Sequence, residues 1–208
     1  PFALRRHLER LERSAQQINL PLPASVEGLE QIVQETLAHN AGVQPESDVT
    51  IRLIVTGGAS AGFLLPDGPS SLLILLAPVR SVPAQHYTVG AKLITADIPR
   101  FMPSVKSINY IGAILGQQRA RAAGAVEALY CTASGVLSEC TTANFFVVKD
   151  GQLITPDQDI LAGITRHTLK GLADKLQLKL VERPFSLAEA KKAREAFITS
   201  ATSFVTPV

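Results

Sequence analysis

The chain carries little excess charge of either sign, few cysteines and no long apolar run. Twenty Lys and Arg against eighteen Asp and Glu leave a formal net charge of +2, too small to argue for nucleic acid or an anionic membrane surface. Aromatic residues make up 5% of the chain, and no Lys/Arg run is interleaved with them, which argues against a nucleic-acid interface. Cys131 and Cys140 do not form a framework of paired spacings, and no Cys/His cluster has metal-ligand spacing. Both read as free thiols in a reducing cytoplasm, used as small buried side chains. The longest apolar run, Leu72 to Pro78, is too short to span a bilayer. The chain opens on Pro1-Phe2 without an initiator Met or a basic-then-apolar signal segment, and stops at Thr206-Pro-Val208 after a strand-like run. Segments are therefore expected to be missing at both ends.

What is present is 208 residues, 46% hydrophobic and 18% charged, enough for one large domain or two small ones with a compact core. Leu4, Leu8, Leu11 and Ala15 recur at helical spacing, as do Val26, Leu29, Val33 and Leu37, and predict helices over 3–17 and from about 26. Pro21 and Pro23 are expected to end the first. Val49-Thr-Ile-Arg-Leu-Ile-Val-Thr56 reads as a strand stopped by Gly57-Gly58, and Ser71-Leu-Leu-Ile-Leu-Leu-Ala77 as a strand buried on both faces. Pro78 and Pro83 bracket a linker candidate. Beyond it come a strand near 87–97 and a helix over 107–123 bearing Ile108, Ile111, Ile114 and Leu115, which Gly124 would terminate.

Strands then alternate with turns. The segments 125–131, 145–148 and 152–155 read as strands, the last two joined by Asp150-Gly151, a two-residue hairpin signal. A helix from about 165 to 176 follows. Ser186-Leu-Ala-Glu189 has capping-box spacing, and 196–199 is the closing strand. The pattern is α+β in two lobes, 1–82 and 83–208.

Three polar segments carry chemistry. Lys106 lies in Pro103-Ser-Val-Lys-Ser-Ile-Asn-Tyr110, where Val105, Ile108 and Tyr110 supply the apolar neighbours that favour a partly deprotonated amine able to form a Schiff base. A lone lysine at a helix start is far more often simply solvated. Glu139 lies in a polar stretch between strands, beside Thr141, Thr142 and Asn144; a carboxylate there could hold a protonated heterocycle or sit in a surface turn. Gly163-Ile-Thr-Arg166 begins a helix, so the amides of Ile164 and Thr165 could seat a phosphate. Ser200-Ala-Thr-Ser203 is a second hydroxyl-rich loop that could close on the same anion or form an ordinary turn. His7 and Arg10 share a helix face, solvated or, if turned to a cleft, offering Arg10 as a bidentate phosphate partner. An amine, a carboxylate and a helix start in this order are the parts needed to hold pyridoxal phosphate.

In order and wording these motifs resemble the class IV aminotransferases, the fold-type IV pyridoxal-phosphate enzymes. That group includes branched-chain aminotransferases, D-amino-acid aminotransferases and aminodeoxychorismate lyases. The resemblance runs over nearly the whole chain and is sharpest in Lys106-Ser-Ile-Asn109, Ser138-Glu-Cys-Thr-Thr-Ala-Asn144, Gly163-Ile-Thr-Arg166 and Phe197-Ile-Thr-Ser-Ala-Thr-Ser203. It implies a two-lobed D-amino-acid aminotransferase-like fold, with a small N-terminal α/β lobe and a larger C-terminal lobe of strands with helices. It implies Lys106 as the internal-aldimine lysine and the proton shuttle between substrate α-carbon and cofactor C4′. By the same resemblance Glu139 pairs with the pyridine nitrogen, and Leu161 packs on the ring face. Tyr110 bonds the phenolic oxygen; Arg10, the backbone at Ile164 and Thr165, and the loop at Ala201 and Thr202 hold the phosphate. A homodimer is implied too.

The chain departs from the pattern at Ala201, where many relatives carry a phosphate-binding Thr. It departs again in Gly57-Gly-Ala-Ser-Ala-Gly-Phe63, where the Arg and His that grip a substrate carboxylate in D-amino-acid enzymes are not evident. The expected activity is amino transfer between an amino acid, branched-chain or D, and a 2-oxo acid. A lyase on the same scaffold is the alternative, favoured mildly by Cys140 after Glu139, and a non-catalytic ligand-binding remnant is a third.

Overall fold

The computed structural model describes residues 1–42, 48–62, 64–79 and 81–208. Phe63, in the glycine-rich segment, and Arg80, in the linker candidate, lie outside the described residues. The chain divides into two compact units, Pro1–Ser81 and Val82–Val208.

In the first unit, helices α1 (Leu4–Gln17) and α2 (Val26–Asn40) accompany an antiparallel pair, β1 (Val49–Thr56) and β2 (Ser71–Pro78). The helical apolar stripes meet as predicted: Leu4, Leu8, Val26, Leu29 and Val33 are buried together, with Ile51, Leu53, Leu72 and Ile74 packed against them. Ser25 caps α2 by accepting from the Gly28 N–H at 3.2 Å. Two expectations fail. Helix α1 ends before either proline, where Asn19 takes a left-handed φ of 52°. Strand β2 is not buried on both faces: Leu73 and Leu75 are exposed, because this two-stranded sheet packs its apolar cluster on one face.

The second unit is built on one mixed sheet. Its elements in chain order are α3 (Gln85–Thr88), β3 (Leu93–Ala96), α4 (Ile111–Ala122), β4 (Glu127–Cys131), β5 (Leu137–Cys140), β6 (Asn144–Lys149) and β7 (Gln152–Thr155). They continue with α5 (Ile164–Lys175), β8 (Lys179–Glu182), α6 (Leu187–Ala190), β9 (Glu195–Ser200) and β10 (Phe204–Pro207). The strand order is β10-β9-β6-β5-β4-β3, with β7 joining β6 to β8. The strand expected near 87–97 is split into the one-turn α3 and the short β3. The sheet also contains β5, β8 and β10, short strands that the pattern did not reveal.

Asp150 and Gly151, at φ 50° and 72°, make the predicted hairpin turn between β6 and β7. Gly124, at φ 64°, follows α4 as predicted. The apolar stripe of α4 behaves otherwise: Ile111, Ile114 and Leu115 are exposed, as is Ile108 just before the helix. The buried face of α4 is Gly116 and Ala120, and Ala120 packs against Ala96 and Ala128. Small residues let this helix lie close on the sheet, so close that a Cβ on Gly116 would meet Thr141 Cγ2 at 2.9 Å. The opposite face of the sheet buries Leu129, Leu137, Cys140, Phe145, Val147 and Ile198.

Candidate active site

One row of the sheet assembles the site. Glu139 on β5 pairs in register with Asn144 on β6, and Asn144 pairs with Thr199 on β9, so three residues far apart in sequence become cross-strand neighbours. Thr199 is followed by Ser200, which opens the hydroxyl-rich loop into β10.

Glu139 is not in a surface turn. It is 3% exposed, and both carboxylate oxygens are engaged. Oε2 accepts from Asn144 Nδ2 at 2.9 Å and from the Leu161 N–H at 3.0 Å. Oε1 is paired with the Arg100 guanidinium. Asn144 Nδ2 also donates to the Leu161 carbonyl at 2.9 Å, which fixes the approach to α5 from β6. Burial pushes the Glu139 carboxyl up to about 7, opposed by Arg100, by the Leu161 N–H and by the charge of Lys106. The charge of Lys106, a residue predicted separately, therefore bears on Glu139 in the folded chain.

Lys106 lies on irregular backbone just ahead of α4, with its side chain exposed. Of its three expected apolar neighbours only Val105 is buried; Ile108 and Tyr110 are exposed. The structure brings Lys106 and Tyr110 together, with Nζ 3.4 Å from the phenol oxygen and 6.0 Å from the ring centroid.

Gly163 begins α5 with no side-chain cap, so the amides of Ile164 and Thr165 lie in an uncapped first turn. The glycine is required by space: a Cβ there would meet Asn144 Oδ1 at 2.0 Å. Arg166 plays a different part, bonding the Pro156 carbonyl at 3.0 Å and Glu182 on β8, and so holding the loop that carries Leu161. In the β9–β10 loop, Ser200 Oγ accepts from the Ser203 N–H at 3.0 Å, leaving Ala201 and Thr202 at its exposed tip. The buried Thr199 hydroxyl has no partner among the described residues. Arg10 belongs to the first unit, on α1, with Nη2 3.4 Å from His7 Nδ1.

The sequence reading missed three residues here. Arg100, six residues before Lys106, offered no motif; only the fold reveals its pairing. Glu127 is 5% exposed and accepts from both Thr141 and Thr142, the residues that turn the chain from β5 into β6. Gln117 on α4 donates to Thr141 at 2.6 Å. This bridge ties the helix that follows Lys106 to the turn that separates Glu139 from Asn144. Both cysteines are free thiols, and Cys140 is buried in the apolar cluster on the other face, so its position after Glu139 does not bring a thiol into the site. Among the described residues no group of His, Cys, Asp or Glu could hold a metal ion, and no helix is long and apolar enough to cross a membrane.

The family model for amino-transferase class IV matches residues 1–208. The chain belongs to the class IV aminotransferases. It is 33% identical over 214 residues to a D-alanine aminotransferase of Listeria monocytogenes, covering all of this chain and 72% of that one. Among solved structures, it resembles the branched-chain aminotransferase of Thermoproteus uzoniensis with norvaline, at 31% identity and a TM-score of 0.89, covering 100% of this chain and 71% of that chain. It also resembles the branched-chain amino acid aminotransferase of Thermobaculum terrenum in its PLP-bound holo form, at 29% identity and a TM-score of 0.85, covering 100% and 69%. As a class IV aminotransferase the chain is a pyridoxal-phosphate-dependent transaminase of fold type IV, and the aminotransferase reading is favoured over the lyase. The residues present fit that cofactor: an enclosed carboxylate paired with Arg100, a lysine whose charge reaches it, and an uncapped helix start beside the same asparagine.

Proposed function

We propose that this transaminase moves an amino group between a branched-chain or D-amino acid and a 2-oxo acid, with Lys106 as its covalent and proton-transferring residue. The observation that carries the proposal is the Glu139 clamp, a buried carboxylate held by three donors and within electrostatic reach of Lys106. Bound pyridoxal phosphate supplies an electron sink through its protonated ring. Glu139 would pair with the pyridine nitrogen, and Tyr110, beside Lys106, with the phenolic oxygen. The Lys106 amine would hold the cofactor covalently and take and return the substrate α-proton. Leu161 would pack against the ring. The N–H groups of Ile164 and Thr165 and the loop at Ala201 and Thr202 would receive the phosphate.

The substrate classes are those named for the relatives. We extend the proposal to a cytoplasmic homodimer. Two free thiols are consistent with that compartment, and the exposed row of Ile108, Ile111, Ile114 and Leu115 supports association with a second copy. The deciding experiment presents the cofactor-loaded protein with L- and D-amino acids one at a time and follows conversion of the cofactor to its amine form by absorbance. Conversion by branched-chain L-amino acids or by D-amino acids supports the reading. Conversion by neither class, in a protein that holds the cofactor, overturns it.

A further inference from the structure

Enclosure works against Glu139. A carboxylate removed from water prefers to hold its own proton, and a neutral carboxyl cannot keep a ring nitrogen protonated. The two donors on Oε2, an amide and a backbone N–H, are uncharged. The charges facing the group come from several elements. Arg100 approaches from the segment after β3 and Lys106 from the segment ahead of α4. Tyr130 on β4 and Cys140 on β5 are both pushed up by burial and so are neutral near pH 7. The two cations are not equivalent, because Lys106 changes its bonding during turnover. Arg100 is the constant positive charge. Its side chain is 25% exposed and lines a cleft of about 310 Å3 together with Asp97, Tyr130 and Asp157. One side of the guanidinium thus keeps solvent while the other meets Glu139, which limits its own desolvation.

We infer that Arg100 is a positioning residue that keeps the buried Glu139 carboxylate ionised and aimed at the site. It rests on the proposed role of Glu139 at the pyridine nitrogen, but part of its test does not. In the cofactor-free protein, the Glu139 carboxyl is followed by infrared difference titration and assigned with Glu139→Gln. Arg100→Met should raise its midpoint by roughly one to three pH units, the size of removing an adjacent opposite charge, and Arg100→Lys should restore most of the difference. Arg100→Gln, read in the same way, serves if the methionine variant does not fold. In the loaded protein, Arg100→Met should weaken pyridoxal phosphate binding and shift the pH midpoint of its visible band, again rescued by Arg100→Lys. A folded Arg100→Met protein with an unchanged Glu139 titration and an unchanged band midpoint overturns the inference, whatever its activity. If the parent takes up no pyridoxal phosphate, the functional proposal fails, while the cofactor-free titration still decides the role of Arg100.

Discussion

Glu139 and Lys106 are held in contrasting ways. The glutamate is 3% exposed and fixed by donors from three separate segments, those carrying Arg100, Asn144 and Leu161. The lysine extends from irregular backbone, exposed, with the Tyr110 phenol 3.4 Å away. A group that tunes a ring by its charge must be desolvated and immobile, so that its field is strong and constant. A group that changes partners during a reaction needs room to turn. Between them stands the Glu127–Thr141–Gln117 bridge, which touches neither reacting atom and ties the helix after one to the turn after the other.

This contrast has consequences for activity and stability that separate the regions. The largest functional effect belongs to Lys106→Ala. We expect turnover to fall by roughly a thousand-fold or more, with stability within about 0.5 kcal/mol of the parent because the side chain is exposed. Transamination with an oxo-acid acceptor and thermal melts measure the two. A Lys106→Ala protein that transaminates at the parent rate would remove the lysine from the mechanism.

Next comes Glu139→Gln, with an expected loss on the order of a hundred-fold in turnover and a distinctive pH signature. In the cofactor-free folded chain Glu139 titrates near 7, against an ordinary 4.5. The folded state therefore binds the proton more tightly than the unfolded state between those values. Its contribution to stability is fully present below pH 4.5, is lost as pH rises to about 7, and is flat above. Melting temperatures of parent and variant across this range should converge or cross as pH rises. Parallel curves would show that Glu139 is not the titrating group.

The smallest expected effect on chemistry comes from the bridge. Thr141→Val keeps the shape but leaves the buried Glu127 carboxylate and the Gln117 amide each short of a partner, at a cost of about 1–3 kcal/mol. Urea unfolding measures it, and Thr141→Ser should recover most of the loss. A Thr141→Val protein as stable as the parent would show that the bridge contributes nothing.

Much of this was legible from residue order. The α1 and α2 stripes, the Asp150-Gly151 turn and the Ser186 cap of α6 depend on neighbours within a few positions, and local chemistry decides such features. The α4 stripe misled because periodicity reports which residues share a face and not what that face meets. Its isoleucines point outward, while Gly116 and Ala120 make the contact with the sheet. Strand β5 was hidden because Leu137-Ser-Glu-Cys140 mixes a core leucine and cysteine with a site glutamate, and a strand that serves two purposes loses its alternation.

The sequence by itself determined the family, the cofactor and the order of Lys106, Glu139 and Gly163, since each motif is contiguous. The tertiary structure decided what surrounds them. Arg100 meets Glu139 across 39 positions, and Glu127 meets Thr141 across 14. A buried charge must be paired or hydrogen-bonded, but its partners come from whichever strand or loop the sheet order places alongside, and no local pattern records that choice.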